Sequence, residues 1–484
     1  MGRVLRPRAR LARAAVPARH RGSPLNSLTD EFSAGEVTTL LQELIRLDTT
    51  NPPGNETLAA ELLRDYLEAA GVECRLYARV PERANLVARI PGRGGGPSLA
   101  LLSHTDVVLA DPAEWERDPF GGELVGDVDG GSTESQMVDV GSTESKMMVW
   151  GRGALDMKGE VAASAVAVAT LAREGWRGAG DLIFVAAADE EVGDGFGLQW
   201  LVEEHPDAVR ADFSVNEGAG DRVELGGKVL YLCATAEKMS SPFELRVRGR
   251  SGHAAMPSIA DNALVKAAPL VARLGDFAVE PQLIPEVAGF LEALLGEVPP
   301  AAEALARARA VAPLAGEIVE PLLGMTVAPT KAHASDKRNV IPALCTVTVD
   351  IRLLPGQTPE EAERAVRAWL DGDGGRDGDY ELVNTERYGG TRSEIGGPLW
   401  DAVRSFVELE EPGAAAAPLC VAGFTDSHWM RAAFGTVAYG FFPSRAMDAE
   451  TAARLIHSAN ERVPVSDLEL GVRWLRHAAQ AVCA

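Results

Sequence analysis

The sequence predicts an α/β fold, with a mixed, mostly parallel sheet that carries helices on both faces and an inserted α+β sandwich that forms a lid domain. Continuously apolar strands such as LALLSH and LIFVAAA alternate with helical segments, which is typical of a parallel sheet buried on both sides. Past about Glu237 the strands alternate apolar and polar residues in the order βαββαβ, which indicates a separate sandwich. At 484 residues, the chain is also longer than one hydrophobic core supports.

The first part of the chain combines helices with two buried strands. Residues 27–71 have apolar side chains at a spacing near 3.6, and Gly71 suits the position after a helix end. ANLVARI is a strand that Pro91 ends, and SLALLSHTDVV is a strand whose unbroken apolar run predicts burial on both faces. His104 and Asp106 follow at the carboxyl end of this second strand.

The stretch WGRGALDMKGE, residues 150–160, lies between a short strand and a helix. Gly151 and Gly153 permit a tight turn, which places Asp156 near a helix N-terminus, where a carboxylate is favoured. A role as helix N-cap explains Asp156 equally well when it is taken alone. A metal-binding role gains support from further segments that carry ligand residue types at strand ends. These are His104 with Asp106, Glu190 with Glu191, Glu217, and His457.

Two of these segments share one pattern, in which an apolar strand is followed directly by acidic residues. DLIFVAAA runs directly into Glu190 and Glu191, and the shorter strand ADFSVN runs into Glu217. Because ligands bind outside the carboxyl ends of parallel strands, we expect these side chains to collect at one edge of the sheet. A pair of solvated loop acids is the alternative for Glu190 and Glu191. It fits the local sequence but not the apolar strand that precedes them.

The inserted sandwich begins with FELRVRGRSGHAAMP, a half-exposed strand by its period-two alternation. A helical stretch interrupted by prolines follows, from Asn262 to about Leu323, and then come two alternating strands. TPEEAERAVRAWL predicts a helix from Thr358 with a capping box, and DYELVNTERY is the next strand. From about Thr391 the chain returns to the first domain with an amphipathic helix, and His457 follows in the segment LIHSANERV.

The composition indicates which binding partners and which cellular compartment to expect. The formal net charge is −23, which argues against nucleic acid and anionic membranes, since both need a basic surface on the protein. The sequence has no apolar run of about 18 residues, so no membrane span is predicted. The five cysteines are scattered without CxxC spacing, which predicts reduced thiols in a cytoplasmic protein.

Two segments are set apart from this fold. Residues 1–22 are rich in arginine and lack both acids and the continuous apolar stretch of a secretory signal. We expect a disordered tail or a start codon assigned too early, with an organelle transit peptide as the alternative. Residues 131–150 contain the repeat GSTESQMVDV, GSTESKMMVW, which is too short for a solenoid. It predicts an inserted surface hairpin or a disordered loop, with a functional flap as the alternative.

The ligand residue types match the needs of a hydrolytic site with two metal ions, which are a bridging carboxylate, two or three ligands for each ion and an open position. Asp156 is the expected bridge. His104 and Glu217 are the expected further ligands of one ion. Glu191 and His457 are those of the other. Oxygen and nitrogen ligands without thiolate suit Zn²⁺, with Co²⁺ or Mn²⁺ as substitutes.

Three more residues receive roles from their position. Asp106, two residues past His104, is suited to accept the far imidazole N–H and fix the tautomer, with a simple turn residue as the alternative. Adjacent side chains of an extended chain point apart, so Glu190 is the expected general base for the attacking water while Glu191 binds metal. His253 in SGHAAMP is suited to donate to the carbonyl oxygen in the transition state, although a lone histidine is more often a surface or core residue.

The motifs SHTDVV, GRGALDMKG, DEEVG, NEG and GHAAMP, together with the late His457, resemble those of the M20 metallopeptidases. That group includes aminoacylases, acetylornithine deacetylases, succinyl-diaminopimelate desuccinylases and glutamate carboxypeptidases. The six motifs occur in the family's order, from about residue 36 to the end. The resemblance implies a di-zinc catalytic domain, interrupted by a lid domain that dimerises, with the same five metal ligands and with Glu190 as the base.

The resemblance also implies roles for residues of the lid. His253 is similar to a family histidine that reaches the active site, often that of the partner subunit. Asn339 in RNVIP and Arg352 in DIRLLPG resemble residues that hold the substrate's carboxylate and carbonyl, since a guanidinium fork suits a carboxylate. A turn asparagine and a strand-surface arginine are the alternatives. Two departures are the GSTES repeat, which interrupts the approach to WGRG, and part of the segment GFTDSHW at residues 423–429. This segment is similar to the family's Gly-Thr-Asp segment before the last ligand, but Ser427-His428-Trp429 is not usual there, and we expect it to shape the substrate pocket.

The predicted division has four parts along the chain. They are a disordered Arg-rich tail (1–26), the first part of the catalytic domain (27–236, with an inserted loop at about 127–148), the lid and dimerisation domain (237–391) and the second part of the catalytic domain (392–484).

The expected function is zinc-dependent hydrolysis of an amide bond in an N-acyl amino acid or a dipeptide. One alternative is a carbamoyl or ureido amidohydrolase of the same architecture. Another is a metal- or peptide-binding relative without catalysis, which should lack Glu190 or a ligand, and none of them is missing. A serine hydrolase is excluded because the sequence has no GxSxG motif.

Overall fold

The computed structural model describes residues 28–126, 147–372, 380–385 and 388–484. The tail expected at residues 1–26 and nearly all of the loop expected at about 127–148, with its GSTES repeats, lie outside these ranges. Met147 and Met148 are described, and they begin a strand.

The described strands form one large sheet, one smaller sheet, a three-stranded sheet and a two-stranded ribbon. In chain order they are β1 (Glu73–Ala78), β2 (Ala84–Ile90), β3 (Leu99–His104), β4 (Glu123–Gly126), β5 (Met147–Trp150), β6 (Leu182–Ala187), β7 (Phe213–Asn216), β8 (Arg222–Leu225), β9 (Lys228–Glu237), β10 (Met239–Ser240), β11 (Phe243–Arg248), β12 (Gly252–His253), β13 (Thr326–His333), β14 (Val340–Ile341), β15 (Leu344–Leu353), β16 (Tyr380–Asn384), β17 (Tyr388–Gly389), β18 (Ala415–Val421), β19 (Val437–Gly440) and β20 (Arg462–Pro464).

The described α-helices lie between these strands and at both ends of the described chain. In chain order they are α1 (Leu28–Ile45), α2 (Thr57–Ala69), α3 (Lys158–Arg173), α4 (Leu198–Glu204), α5 (Pro206–Val209), α6 (Ala263–Gly275), α7 (Pro285–Leu295), α8 (Ala301–Val311), α9 (Pro313–Val319), α10 (Pro359–Asp371), α11 (Gly397–Glu410), α12 (Ser427–Phe434), α13 (Ala449–Leu455) and α14 (Val465–Val482).

The main sheet has nine strands in the spatial order β1-β2-β6-β3-β7-β19-β9-β18, with β8 beside β9. Its centre, β6-β3-β7-β19, is parallel. Antiparallel pairings join β1 and β2 on one side and β9 on the other. Leu101 and Phe184 pack in the core shared with α1, α3 and α14, whereas Leu102 and Val185 pack on the opposite face with α4 and α12. The expected α/β fold with helices on both faces is therefore confirmed.

The parallel centre of the sheet sets the position of the predicted ligands. Strands β3, β6 and β7 run in the same direction, so their carboxyl ends lie at one edge. His104 is the last residue of β3, and Glu217 directly follows β7. Glu190 and Glu191 follow the end of β6 by a few residues. The edge predicted from the apolar strand pattern thus collects these side chains.

A small sheet, β20-β5-β4, brings the late part of the chain to the same edge. Its strand β5 leads into the loop that carries Asp156, and α3 begins at Lys158. Arg462 of β20 pairs with Trp150 of β5, so the segment with His457 lies beside the Asp156 loop. This pairing explains how two ligands some three hundred residues apart become neighbours.

The lid sheet, which we define as β10, β11, β13, β15, β16 and β17, is antiparallel and has the order β16-β11-β15-β10-β17 with β13 beside β15. Every second residue of β15 is buried, and these side chains pack under α6 and α10. Thr358 and Glu361 form the expected capping box at the start of α10. This sheet is separate from the main sheet, as the change of pattern near Glu237 predicts.

Helices α7, α8 and α9 belong to a different core. Val287 and Phe290 of α7 pack with Leu232 of β9 and Ala417 of β18, which are strands of the main sheet. These helices fall within the range 237–391 that we assign to the lid from the sequence. The domain boundaries themselves stay a prediction.

The cysteines and the helices bear on two further expectations. All five cysteines are free, and four of them are buried. Among the described helices, none has the length and apolar character needed to cross a membrane.

Candidate metal centre

Asp156 lies between two histidines. Its Oδ1 atom is 3.2 Å from Nε2 of His104, and its Oδ2 atom is 2.9 Å from Nε2 of His457. Each carboxylate oxygen therefore faces one imidazole. This is the arrangement that a carboxylate bridging two metal ions requires.

Each histidine also has a glutamate beside it. Oε2 of Glu217 is 3.8 Å from Nε2 of His104, and Oε2 of Glu191 is 3.2 Å from Nε2 of His457. The structure thus brings together all five ligands expected from the sequence, in the two sets expected around Asp156.

Two overlapping groups have ligand atoms within 4.8 Å of one another. One contains His104, Asp156 and Glu191, and the other contains His104, Glu190 and Glu217. Glu190 therefore also lies near enough to His104 and Glu217 to bind an ion with them. Its expected role as a base stays a prediction, and experiment has to distinguish that role from a role as a ligand.

Glu461 holds the Asp156 loop, and the sequence reasoning missed it. This buried carboxylate accepts hydrogen bonds from the backbone N–H groups of Leu155 (2.7 Å) and Asp156 (3.0 Å). It also accepts from the backbone N–H of Gly153 at 3.0 Å and from the Arg152 guanidinium at 2.7 Å. Gly153 has a φ of 83°, which explains the glycine at this turn. The signal was present in the sequence as the acid of SANERV, four residues past His457.

Asp106 is buried behind the ligands. Its Oδ1 atom is 3.3 Å from Nδ1 of His104, and its backbone oxygen is 3.1 Å from the same nitrogen. The carboxylate also accepts hydrogen bonds from the backbone N–H groups of Glu190 and Glu191, each at 3.1 Å. One side chain therefore contacts His104 and also fixes the backbone that carries both glutamates. These contacts suit an orienting residue, and the role itself stays a prediction.

A second buried network supports the loop that carries Glu190 and Glu191, and the sequence reasoning missed this network too. Asp189 has a φ of 63° and accepts from Arg83 at 3.1 Å and from the side chain of Asn51 at 3.0 Å. Arg83 also makes two hydrogen bonds of 2.7 Å to Glu56. A left-handed backbone in a residue other than glycine costs energy, and these bonds hold it in place. Asp189 lies in the quoted motif DEEVG, but its partners come from distant segments.

The site concentrates negative charge. Burial and the neighbouring charge of Glu217 raise the pKa of Glu190 well above its usual value. Burial and the charge of Asp156 raise the pKa of Glu217, and burial raises the pKa of Asp426 to about 8. Asp426, at the start of α12, lies in the GFTDSHW segment but was not among the predicted site residues. Carboxylates that raise one another's pKa in this way are suited to share positive ions.

The contacts between the two histidines and Asp156 favour the charged form of each group. Burial acts to lower the pKa of His104, but the carboxylates around it, first Asp106, outweigh burial and hold the pKa well above its usual value. Contacts with Asp156 and Glu191 raise the pKa of His457 to about 10. Burial acts to raise the pKa of Asp156, but the two imidazoles hold it well below its usual range.

Unsatisfied atoms test whether the residues fit metal ions. Within the described residues, Nε2 of His104 and Oε1 of Glu191 are buried without a hydrogen-bond partner. Buried polar atoms normally have partners, so orphaned atoms in a cluster of imidazoles and carboxylates call for a bound cation. Nitrogen and carboxylate ligands without thiolate match Zn²⁺. The residues present therefore fit the expected pair of ions.

A cavity of about 320 Å³ opens beside the ligands. Glu190, Glu191 and Asp426 line it, and Arg352 reaches it from the lid sheet. Arg352 is half-buried and paired with Asp350 at 3.0 Å. The cavity thus joins the acidic edge of the main sheet to a guanidinium on the lid.

His253 and Asn339 do not line this cavity. Both are exposed on the ribbon of β12 and β14, where His253 pairs with Val340 and the backbone oxygen of Asn339 accepts from Ala254. Within the described chain, His253 belongs to no group of histidine, cysteine, aspartate and glutamate side chains that could hold a metal ion. Their expected roles stay predictions.

Comparison with known proteins identifies the family. The sequence pattern of peptidase family M20/M25/M40 matches residues 100–481. The chain belongs to this family. It is therefore a hydrolase with a candidate metal site of histidine, aspartate and glutamate.

Individual similar proteins cover most of this chain. A succinyl-diaminopimelate desuccinylase of Cereibacter sphaeroides is 27% identical over 448 residues, which cover 89% of this chain and 94% of the relative. Among solved structures, an M20 family metallo-carboxypeptidase from Sulfolobus solfataricus has a TM-score of 0.65 at 17% identity, covering 93% of this chain and 99% of that one. A tripeptidase from Staphylococcus aureus has a TM-score of 0.62 at 16% identity, covering 93% and 98%. The two structures support the fold.

Proposed function

We propose that this M20 protein is a zinc-dependent hydrolase that cleaves an amide bond in an N-acyl amino acid or a dipeptide with a free carboxylate. The observation that carries the proposal is the position of Asp156 between His104 and His457, with Glu190 and Arg352 lining one adjoining cavity. A metal pair, a proton acceptor and a cation for the substrate are the parts that such a hydrolysis needs.

Two zinc ions, with cobalt or manganese as substitutes, are the proposed cofactors. Asp156 would hold both, His104 and Glu217 would hold one, and Glu191 and His457 the other. When bound, the pair supplies a Lewis acid for the amide carbonyl and lowers the pKa of water. The ligand set uses every orphaned atom of the cluster noted above.

Glu190 is the proposed general base. As a carboxylate it takes a proton from the attacking water, and it then gives that proton to the nitrogen of the leaving amine. Burial and the charge of Glu217 raise its pKa well above the usual value, and a raised pKa suits a group that must both accept and release a proton. Asp106 fixes the backbone N–H of Glu190 and so orients this group.

Arg352 is the proposed partner of the substrate's carboxylate, with Asn339 as a partner of its carbonyl or carboxylate. Arg352 lines the cavity and offers a planar fork of donors. Asn339 lies on the exposed β12–β14 ribbon, so its proposed role requires that a second copy or a movement of the lid bring it to the substrate.

We also propose a homodimer in which the lid forms the contact, on the surface that carries the β12–β14 ribbon. Exposed apolar side chains follow His253 in the chain, among them Ile259 at 58% and Val265 at 66% exposure. Burying exposed apolar side chains of this size against a second subunit would lower the free energy of the dimer. In such a dimer, His253 would act on the substrate of the partner subunit.

Two inactive variants are expected to complement each other. After subunit exchange between His253→Ala and Glu190→Ala, each mixed dimer has one site with Glu190 and the partner subunit's His253. Random exchange should restore about a quarter of the wild-type specific activity, because half the dimers are mixed and each has one working site. A mixture of Glu190→Ala with Glu191→Ala is the control and should stay inactive. No recovery while mass spectrometry detects mixed dimers would contradict a role of His253 across subunits.

A substrate panel tests the proposed function. We expect zinc-loaded protein to hydrolyse N-acetyl amino acids or dipeptides, with release of the free amine measured by chromatography. Glu190→Ala protein on the same panel controls for contaminating enzymes. Preference for N-carbamoyl amino acids would favour the alternative amidohydrolase. Metal binding without hydrolysis of any amide would favour the relative without catalysis.

Zinc binding is expected to release protons. His457, with a pKa of about 10, and His104, with a pKa well above the usual value, are protonated near neutral pH in the metal-free chain. Metal ligands must be deprotonated, so calorimetry in buffers of different ionisation enthalpy should detect about two protons or more per chain. Zinc affinity should rise with pH until it passes about 10.

His457→Gln is the matched variant for this measurement and should release about one proton fewer. The same shift fixes the sign for stability without metal. The contacts of protonated His457 with Asp156 and Glu191 stabilise the metal-free fold. This stabilisation is fully present below the unfolded-state pKa of histidine, about 6.5, and it is lost as the pH rises through the folded-state pKa of about 10. Zinc binding without proton release would contradict the assignment of the two histidines.

A further inference from the structure

The cavity beside Glu190 has an aromatic side that amide hydrolysis by itself does not need. Phe424 and Trp429, both half-buried, line it together with Glu190, Glu191 and Arg352. We call Phe424 and Trp429 the aromatic wall. Their ring centroids are 5.9 Å apart at an interplanar angle of 71°, which is a favourable edge-to-face contact.

A third ring completes the packing of the wall. His428 lies 4.8 Å from the Trp429 ring and 5.5 Å from the Phe424 ring, measured between centroids. Burial and the positive charge of Arg431 lower the pKa of His428 to about 4, so this imidazole is neutral near pH 7. The wall therefore presents a surface without charge to the cavity.

Buried hydrogen bonds hold the wall in position. Glu237, at the end of β9, accepts from the backbone N–H of Thr425 at 3.2 Å and from its hydroxyl at 3.0 Å. On the other side, the amide of Asn216 is 3.2 Å from the hydroxyl oxygen of Ser427. Thr425 follows Phe424 directly, and Ser427 lies two residues before Trp429. A surface fixed in this way binds a ligand without a large cost of ordering it.

The rest of the cavity limits which group can lie on the wall. Among the described residues that line the cavity, Arg352 is the one cationic side chain, so the cavity offers a cationic partner to one carboxylate and not to a second. Arg352 and the wall line one cavity of about 320 Å³, so a single amino-acid residue is able to present its carboxylate to Arg352 and its side chain to the wall.

We propose that the aromatic wall determines specificity and selects substrates whose carboxylate-bearing residue has an aromatic or bulky apolar side chain. This inference rests on the proposed amide hydrolysis and deepens it. An N-acyl phenylalanine places its ring on the wall, whereas an N-acyl aspartate brings a second carboxylate for which the lining residues offer no further cation.

The test compares N-acetylphenylalanine, N-acetylalanine and N-acetylaspartate on zinc-loaded full-length protein. We expect kcat/KM for the phenylalanine substrate to exceed that for the alanine substrate by at least about 10-fold, with the aspartate substrate lowest. Trp429→Ala and Phe424→Ala should each reduce this preference several-fold, mainly by raising KM for the phenylalanine substrate. Trp429→Phe keeps an aromatic ring and should retain most of the preference.

Trp200→Ala is the matched control. Trp200 is another tryptophan packed against the same core as Trp429, but it does not line the cavity. Its loss should leave the ratio of the two kcat/KM values unchanged. Zinc content and thermal unfolding of each variant show whether it is folded. If Trp429→Ala does not fold, the kcat/KM ratio of Phe424→Ala tests the inference instead.

Binding separates a failure of this inference from a failure of the proposed function. Calorimetry with zinc-loaded Glu190→Gln protein measures the affinity for the same three compounds whether or not any amide is cleaved. Tighter binding of N-acetylphenylalanine to this variant, with no hydrolysis of any N-acyl amino acid or dipeptide by the wild-type protein, would support the wall and overturn the hydrolysis. If the protein hydrolyses N-acetylalanine or N-acetylaspartate with a kcat/KM equal to or above that for N-acetylphenylalanine, the inference about the wall is wrong and the proposed hydrolysis stands.

Discussion

Replacing Glu190 with alanine is expected to abolish turnover while both metal ions stay bound. A positioned general base contributes about 10²- to 10⁴-fold to a rate, so kcat should fall by about 10³-fold with little change in KM. Steady-state kinetics and metal analysis of the same preparation measure the two quantities together. Glu190→Gln, which keeps the shape and removes the basic oxygen, should give nearly the same loss.

The metal content decides between two roles for Glu190. Its ligand atoms lie within 4.8 Å of those of His104 and Glu217, so a role as a ligand is a real alternative. If Glu190→Ala loses one zinc ion per chain, Glu190 is a ligand and the proposed base is wrong. Substantial turnover in the variant would also sink the assignment. Glu204→Ala, an exposed glutamate on α4, is the control and should behave as wild type.

Replacing Asp156 with alanine is expected to weaken the binding of both ions. Among the described residues, Asp156 is the one carboxylate that contacts both histidines, at 3.2 and 2.9 Å, so its loss affects both halves of the centre. We expect zinc affinity to fall by more than the roughly 10- to 100-fold that the loss of an outer partner costs. Activity should fall to background at limiting zinc.

Thermal unfolding gives a readout of Asp156 that is independent of catalysis. An ion present at about 1,000 times its Kd stabilises a folded protein by about 4 kcal/mol, so chelation should lower the Tm of the wild type clearly. The Tm of Asp156→Ala should barely respond to zinc or chelator. Asp276→Ala, at an exposed position after α6, is the matched control. Full zinc content in Asp156→Ala would contradict the bridging role.

These two residues show how far local sequence carries the argument. The apolar runs of β3 and β6 predict buried parallel strands, and parallel strands must end at one edge. His104, Glu190 and Glu191 could therefore be placed together without knowledge of their contacts. The pairing of β20 with β5 was not predicted, and it is what brings His457 to Asp156.

The supporting residues could not be predicted in the same way. Glu461, Asp189 and Asp426 all lie in or near quoted motifs, yet nothing in the sequence states which backbone N–H or charge each one meets. Glu461, for example, bonds to backbone groups some three hundred residues earlier. Such partners depend on how loops from different strands pack against each other.

The sequence by itself determined the fold class, the family motifs and the edge of the sheet that holds the ligand residue types, because strand periodicity and strand direction are properties of local segments. Only the tertiary structure decided that Arg352 reaches the cavity while His253 and Asn339 do not line it. It also decided that Phe424 and Trp429 form one wall of the cavity. Contacts between segments far apart in the chain arise from packing, which no local pattern encodes.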